Sequence, residues 1–296
     1  MQSDYSIHVA SKGEFPQIAD LFFEQNRVPE RQCLHSSVGD RAEDILQIMM
    51  KWEEISEIIF IVAPKGESVV GVLGSEFDEE LGRGWLWGPS TLEQDWQLVS
   101  IRLYQALLAA LPASIRQLGA FLNILNQQGR DFYRDLGFSG TNLAHVYSAK
   151  GLAKSVNASE FCRQLSVEYH PGFATLHNTI FPGAYYSAER VIEQSDDHNQ
   201  VFIYPEDNQV LGYVYASFSG DSKEGEVEFL GVRQDSRGRG IGRQLLQTAL
   251  WWLFSELNAS QVTLTVNQDN VNARALYESV GFQLRYTGIG LERRLD

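Results

Sequence analysis

The 296-residue chain has only two cysteines, Cys33 and Cys162, with three methionines and eight prolines. Two thiols so far apart, in no ligand-like spacing, exclude a disulfide scaffold or a cysteine metal site and lead us to expect a reduced, cytoplasmic protein. The apolar stretch 103–111 is interrupted by Gln105 and closed by Pro112, far short of the roughly 18 apolar residues a membrane span needs. Residues 1–11 show no basic start followed by an apolar run, so no secretory leader is expected. Positive charge is scarce as well. Against 38 acidic side chains stand 24 Lys and Arg, for a net charge of −14. Nucleic acid is held mainly by cations that neutralise phosphates, so it is excluded as an expected partner. A negative field concentrates cations such as amines, although acidity serves solubility equally well. What is abundant is core material: 44% hydrophobic and 11% aromatic residues make a globular chain with enough length for two domains.

The chain carries an internal repeat. Residues 126–138 read N-x-x-G-x-x-F-Y-x-x-x-G-F, and residues 270–282 read N-x-x-A-x-x-L-Y-x-x-x-G-F. The copies lie close to half the chain apart, and each follows an apolar strand-like run, 118–124 and 262–266. That spacing is too long for a solenoid and indicates a duplicated domain. The flanking patterns agree. Strands are expected at 58–63, 68–74 and 84–87, and again at 200–204, 210–217 and 225–232, with turns at Pro-Lys-Gly and Glu-Asp-Asn. Helices are expected at 97–111 and 240–255, the latter from the stripe Leu245, Leu246, Ala249, Leu250 and Leu253. A shorter helical pattern covers 173–179. We place the domains at 1–150 and 151–296, with the boundary between 148 and 166.

The sharpest chemical signal is Arg237-Gly238-Arg239-Gly240-Ile241-Gly242, between a strand and an amphipathic helix. Glycines there let successive N–H groups approach an anion, and the positive helix end adds to the attraction. Arg237, Arg239 and Arg243 can contribute charge. A Walker loop would need Gly-Lys-Ser/Thr, which is missing. A dinucleotide fingerprint starting at Gly238 would need glycine where Arg243 stands, and an acid where Asn267 follows the next strand.

Together, Arg237-x-x-Gly240-x-Gly242 and the motif at 270–282 resemble the two strong signatures of the GNAT (general N-acetyltransferase) superfamily, in that family's order. The resemblance covers 172–295 well and 5–148 more weakly. It implies an α/β (α+β) fold of two tandem GNAT-like domains, each a mixed, mostly antiparallel sheet flanked by helices. It further implies acetyl-CoA as cosubstrate, no metal, and direct transfer of acetyl to a primary amine on a small molecule or peptide. Carried over, the Leu230 N–H would polarise the thioester carbonyl, an oxyanion-type role. Gly231 and Val232 would flank the pantetheine arm. Amides from Gly238 through Ile241 to Arg243 would hold the pyrophosphate. Asn270 would touch the coenzyme arm or cap its helix. Tyr277 matches the tyrosine that protonates the departing thiolate, or it is a core aromatic whose hydroxyl meets a backbone carbonyl. Glu226, eleven residues before Arg237, matches the base glutamate of histone-type members. Glu228 lies on the same face, and either carboxylate, directly or through water, can take the ammonium proton. Alternating glutamates also suit a solvated strand face.

Phe181-Pro182-x-x-Tyr185-Tyr186 sits where the family places the acceptor wall and is similar to the F-P-x-x-Y loop of N-terminal protein acetyltransferases. We expect Phe181 and Tyr185 or Tyr186 to line the pocket; Phe181 and Pro182 can equally close a helix. The first half keeps the late motif but has Gly88-Pro-Ser-Thr-Leu-Glu93-Gln-Asp95-Trp96 in place of the glycine loop. Acids repel phosphate and Pro89 lacks a donor, so this domain is expected not to bind coenzyme A, with Asn126 and Tyr133 in structural roles. An acyl-CoA-binding regulatory module without turnover is the alternative to the enzyme.

Overall fold

In a computed structural model, residues 6–92, 94–152 and 156–295 are described. The chain divides into two compact units, residues 1–144 with 287–296, and residues 145–286. The first runs β1 (His8–Val9), α1 (Phe15–Asn26), α2 (Ala42–Glu54), β2 (Ile58–Lys65), β3 (Ser68–Asp78), β4 (Arg83–Thr91), α3 (Trp96–Ala110), β5 (Gln117–Asn123) and α4 (Gln127–Asp135). β6 (Leu143–Lys150) leads into the second, which continues with β7 (Arg163–Gln164), α5 (His170–Ile180), α6 (Ala188–Glu193), β8 (Asn199–Glu206), β9 (Gln209–Ser219) and β10 (Glu224–Val232). Then come α7 (Ile241–Trp251), β11 (Gln261–Asn267), α8 (Val271–Ser279) and β12 (Gln283–Arg294).

Both units use one plan, in which antiparallel hairpins lead into a parallel pair. In the first, β2–β3–β4 is antiparallel and β4 pairs parallel with β5. In the second, β8–β9–β10 is antiparallel and β10 pairs parallel with β11. The sheets differ from simple halves of the sequence at one strand each. β12 lies beside β5, pairing from Gly288↔Asn123 to Arg294↔Gln117, whereas β6 lies beside β11. The division expected near 150 therefore moves to 144/145, before the expected 148–166 window, and the last ten residues return to the first unit. The cause is strand pairing: each end strand buries its apolar residues, Ile289 and Leu291 of β12 and Tyr147 and Ala149 of β6, in the core of the unit whose sheet it completes.

Each sheet is covered on both faces, and period-2 alternation sorts the side chains between them. Phe60 and Val62 of β2 meet α1 and α2 through Phe22, Ile45 and Met49. Ile61 and Ala63 meet α3 and α4 through Val99, Leu103 and Phe132. In the second unit α7 and α8 cover one face through Leu245, Leu246 and Tyr277. There α5 and α6 cover the other through Phe173, Leu176 and Val191. The helix expected at 240–255 is α7 followed by one π-helical turn, Trp252–Glu256. Among the described residues no helix is long and apolar enough to cross a membrane.

Candidate active site

The second unit's sheet opens where β10 bends. Parallel pairing runs from Glu224↔Gln261 to Val227↔Leu264 and stops, while β11 continues to Asn267. A β-bulge between Val227 and Phe229 in the β9 ladder coincides with this end. Such an extra residue bends the strand and breaks alternation. Accordingly Val227 enters the α7 side of the sheet and Phe229 the α5 side. Beyond the bulge the pairs are Leu230↔Val214, Gly231↔Tyr213 and Val232↔Gly212, and the Arg233 N–H donates to Leu211. Antiparallel ladders alternate bonded and non-bonded pairs, so Leu230 and Val232 turn their N–H and C=O groups away from β9, toward the opening beside β11. The Arg237 Nε, donating to the Val232 carbonyl at 3.1 Å, reports the same orientation.

At the far end of the opening stands the glycine turn. Gly238 and Gly240 both take φ of +80°, with Gly240 the N-cap of α7. A Cβ would meet nothing within 4 Å at either position, so glycine is required there by the left-handed backbone and not by crowding. Among the described residues nothing accepts from the amides of 238–243, while the Gln244 N–H already donates to the Gly240 carbonyl. Six amides at a helix N-terminus make a cradle suited to phosphate oxygens. The three arginines are not equivalent. Arg239 is bound two-pronged to Glu206 at 2.6 and 3.1 Å, Arg243 donates to the Ser279 hydroxyl at 2.7 Å, and Arg237 is tied to Val232. Gly231 is needed for a different reason than the turn glycines: a Cβ would lie 2.9 Å from Ile180 and 3.3 Å from Phe181.

Asn270 caps α8, its side chain accepting from the Ala273 N–H at 3.2 Å. Tyr277 is buried in the core between sheet and helices. Burial pushes its pKa up to about 12, which keeps the phenol protonated at neutral pH. Its hydroxyl makes no hydrogen bond with the described residues.

On the α5 face the bulge gathers Glu226, Glu228 and Phe229. Glu228 accepts from the Tyr185 hydroxyl at 2.6 Å and from Ser217 at 2.9 Å. Glu226 accepts from no described residue. Burial and then the neighbouring Glu228 and Glu224 charges raise its pKa well above the ordinary carboxylate range. Glu228 is raised by burial too, with its two hydrogen bonds opposing. Of the two, Glu226 is raised the further, because it lacks the hydrogen bonds that oppose burial at Glu228. Tyr185 stacks on Phe229 at 5.0 Å, Phe181 packs against Phe229 at 5.1 Å, and Tyr186 meets Tyr185 edge-on. Four residues of this wall were not singled out from sequence. His177 donates through Nε2 to the Tyr186 carbonyl, which fixes its tautomer, and its Nδ1 accepts from the Tyr213 hydroxyl at 2.7 Å. Tyr215 lies under Phe229 and Ser217 beside Glu226. Tyr213, Tyr215 and Ser217 share one face at period 2, a signal present in the sequence but masked by the continuous apolar character of β9.

The first unit has the same opening, and it is filled. Pairing of β4 with β5 stops at Leu86↔Ala120, and a bulge follows before Ser90↔Val72. This register corrects the reading of 88–91 as a loop: they are strand, and Pro89 falls where the second unit has Leu230. Glu93 lies outside the described residues. Into the opening goes the chain's own segment 32–35. Cys33 bridges Leu122 of β5, with N–H bonds from Leu34 to Phe121 and from Asn123 to Gln32. On the β4 side Cys33 Sγ and His35 Nδ1 both donate to the Leu86 carbonyl. Asn126 caps α4 through Gly129 and also donates to the Gln32 carbonyl, while Tyr133 donates to Gly88 at 2.8 Å.

Residues 164–282 match the model of the acetyltransferase (GNAT) family. Residues 164–282 are therefore a GNAT-family domain. A mycothiol acetyltransferase of Streptomyces coelicolor is 30% identical over 101 residues, 34% of this chain and 32% of that one. The N-alpha-acetyltransferase RimI of Mycobacterium tuberculosis is 38% identical over 104 residues, 34% of this chain and 61% of that one. The chain therefore spans less than two thirds of these GNAT relatives. A tandem GNAT protein from the clavulanic acid biosynthesis pathway shares the fold, with a TM-score of 0.68, 12% identity and 98% of each chain covered.

Proposed function

We propose that the second unit transfers an acetyl group from acetyl-CoA directly to a primary amine. The observation that carries this reading is the opening between β10 and β11, which has unpartnered amides along and beyond it and a pair of carboxylates on its α5 face. The names of the relatives, an N-alpha-acetyltransferase and a mycothiol acetyltransferase, support acetyl transfer.

In this reading the amides of 238–243 hold the pyrophosphate, and Gly231 and Val232 flank the pantetheine arm. The Leu230 N–H, turned into the opening, donates to the thioester oxygen as negative charge develops there. Glu226 takes one proton from the acceptor ammonium and passes it to solvent. The freed amine attacks the carbonyl carbon and the carbon–sulfur bond breaks. Tyr277 gives its proton to the departing sulfur and recovers one from the nitrogen of the adduct, so the products are an amide and free thiol. Phe181, Tyr185 and Tyr186 wall the acceptor.

The test is acetyl-CoA-dependent thiol release across a panel of primary amines, with coenzyme binding followed by calorimetry. We expect turnover whose kcat/KM rises with pH through a limb above the ordinary carboxylate range, because Glu226 must be ionised to act and its pKa is raised. Glu226→Gln is expected to remove that limb. Tight coenzyme binding with no thiol release from any amine would instead identify a binding module.

A further inference from the structure

Glu226 and Glu228 sit half-buried on one face of β10 with no Lys or Arg of the described residues paired to either. The cation beside this wall, Arg190, lies over the Tyr186 ring at 5.5 Å. Two adjacent carboxylates without a counter-ion are costly to keep out of water. A second, independent feature faces the same spot. Tyr215 is 1% exposed, yet its hydroxyl has no hydrogen-bond partner among the described residues, and its ring lies parallel to Phe229 at 6.4 Å. Tyr185 closes the stack from the other side of Phe229 while its hydroxyl holds Glu228.

A charge balance over the proposed transfer, on which this inference rests, shows what is missing. An acceptor with one ammonium neutralises one carboxylate on arrival. Once Glu226 has taken its proton, and before it passes to solvent, the attacking nitrogen and Glu226 are both neutral, and Glu228 is left as an uncompensated charge. A second cation on the acceptor removes that deficit.

We propose that the acceptor is a di- or polyamine, one nitrogen giving its proton to Glu226 and a second, still cationic, held by Glu228 against the Tyr185 ring and the Tyr215 hydroxyl. Aromatic faces beside a carboxylate suit an alkylammonium, and the net charge of −14 favours its approach.

Putrescine and butylamine have carbon chains of equal length, so they isolate the second charge. With the full-length protein and saturating acetyl-CoA, kcat/KM for putrescine should exceed that for butylamine by about 100-fold, mainly through KM, as a close charge pair provides. Glu228→Gln should collapse that ratio toward one, and Tyr185→Phe should reduce it partway. Equal use of the two amines, or a ratio that survives Glu228→Gln, overturns the inference while leaving acetyl transfer intact. Silence toward every amine, with calorimetric binding of putrescine that Glu228→Gln abolishes, defeats the transfer reading and leaves the dication site standing.

Discussion

The two units meet the same structural problem in opposite ways. Each has a parallel strand pair that parts after four residue pairs, with a bulge at the parting. In the second unit the Val232 carbonyl accepts from Arg237, and the amides of 238–243 have no partner among the described residues. In the first, the chain supplies its own ligand: segment 32–35 lies along β5 and donates to Leu86 of β4. Buried backbone groups must be paired, and a sheet that splays has to find partners either inside the chain or outside it. The repeated motif serves both solutions. Asn126 and Asn270 each cap a helix, but only Asn126 also fastens a plug. Tyr133 spends its hydroxyl on Gly88, whereas the Tyr277 hydroxyl has no partner among the described residues.

Four experiments bear on this contrast, the first of which transplants the first unit's defect. Leu230→Pro gives the second unit the proline that Pro89 places in the first, removing one N–H that makes no ladder bond. We expect kcat to fall about 10²–10³-fold, the typical cost of one oxyanion donor, with melting temperature and coenzyme binding kept. Retention of full turnover would remove Leu230 from the mechanism. The tyrosines come next. Tyr277→Phe is expected to lower kcat roughly 10²-fold, as loss of a general acid does, without loss of coenzyme affinity. Tyr133→Phe should leave kcat unchanged but cost about 1–3 kcal/mol in denaturant unfolding, because a buried carbonyl loses its donor. Equal kinetic effects of the two substitutions would erase the distinction between the units.

A smaller effect follows from acidification. His35 donates to Leu86 as a neutral imidazole, and burial lowers its pKa from 6.5 to about 4. The unfolded chain therefore takes up the proton first. Stability should be lost as pH falls from 6.5 toward 4, by at most about 3 kcal/mol from this group. His35→Asn, which keeps a donor but does not titrate, should flatten that part of the urea-midpoint profile. Smallest are the caps. Asn270→Ala should cost about 1 kcal/mol, and Asn126→Ala measurably more, since it also releases Gln32. Equal losses in urea unfolding would show that Asn126 does not hold the plug.

Much of this was legible in the chain itself. The duplication, the glycine turn and most strands follow from local chemistry: period-2 alternation, turn residues and the left-handed backbone that Gly238 and Gly240 permit. Their expected spans fall within a few residues of those observed because short-range sterics and hydrogen bonding set them. The amide cradle at 238–243 and the adjacency of Glu226 and Glu228 were legible for the same reason, being close in sequence. Tertiary structure alone decided the rest. Nothing near β12 or β6 reveals which sheet each completes, since either edge offers the same backbone donors and only burial of Ile289, Leu291, Tyr147 and Ala149 discriminates. Nor could Cys33 and His35 be read as a plug, because their partners lie more than fifty residues away on β4 and β5. The bulge at 228 turned Phe229 against the pattern and set Tyr185 over it, an outcome of ladder register that side-chain pattern does not encode.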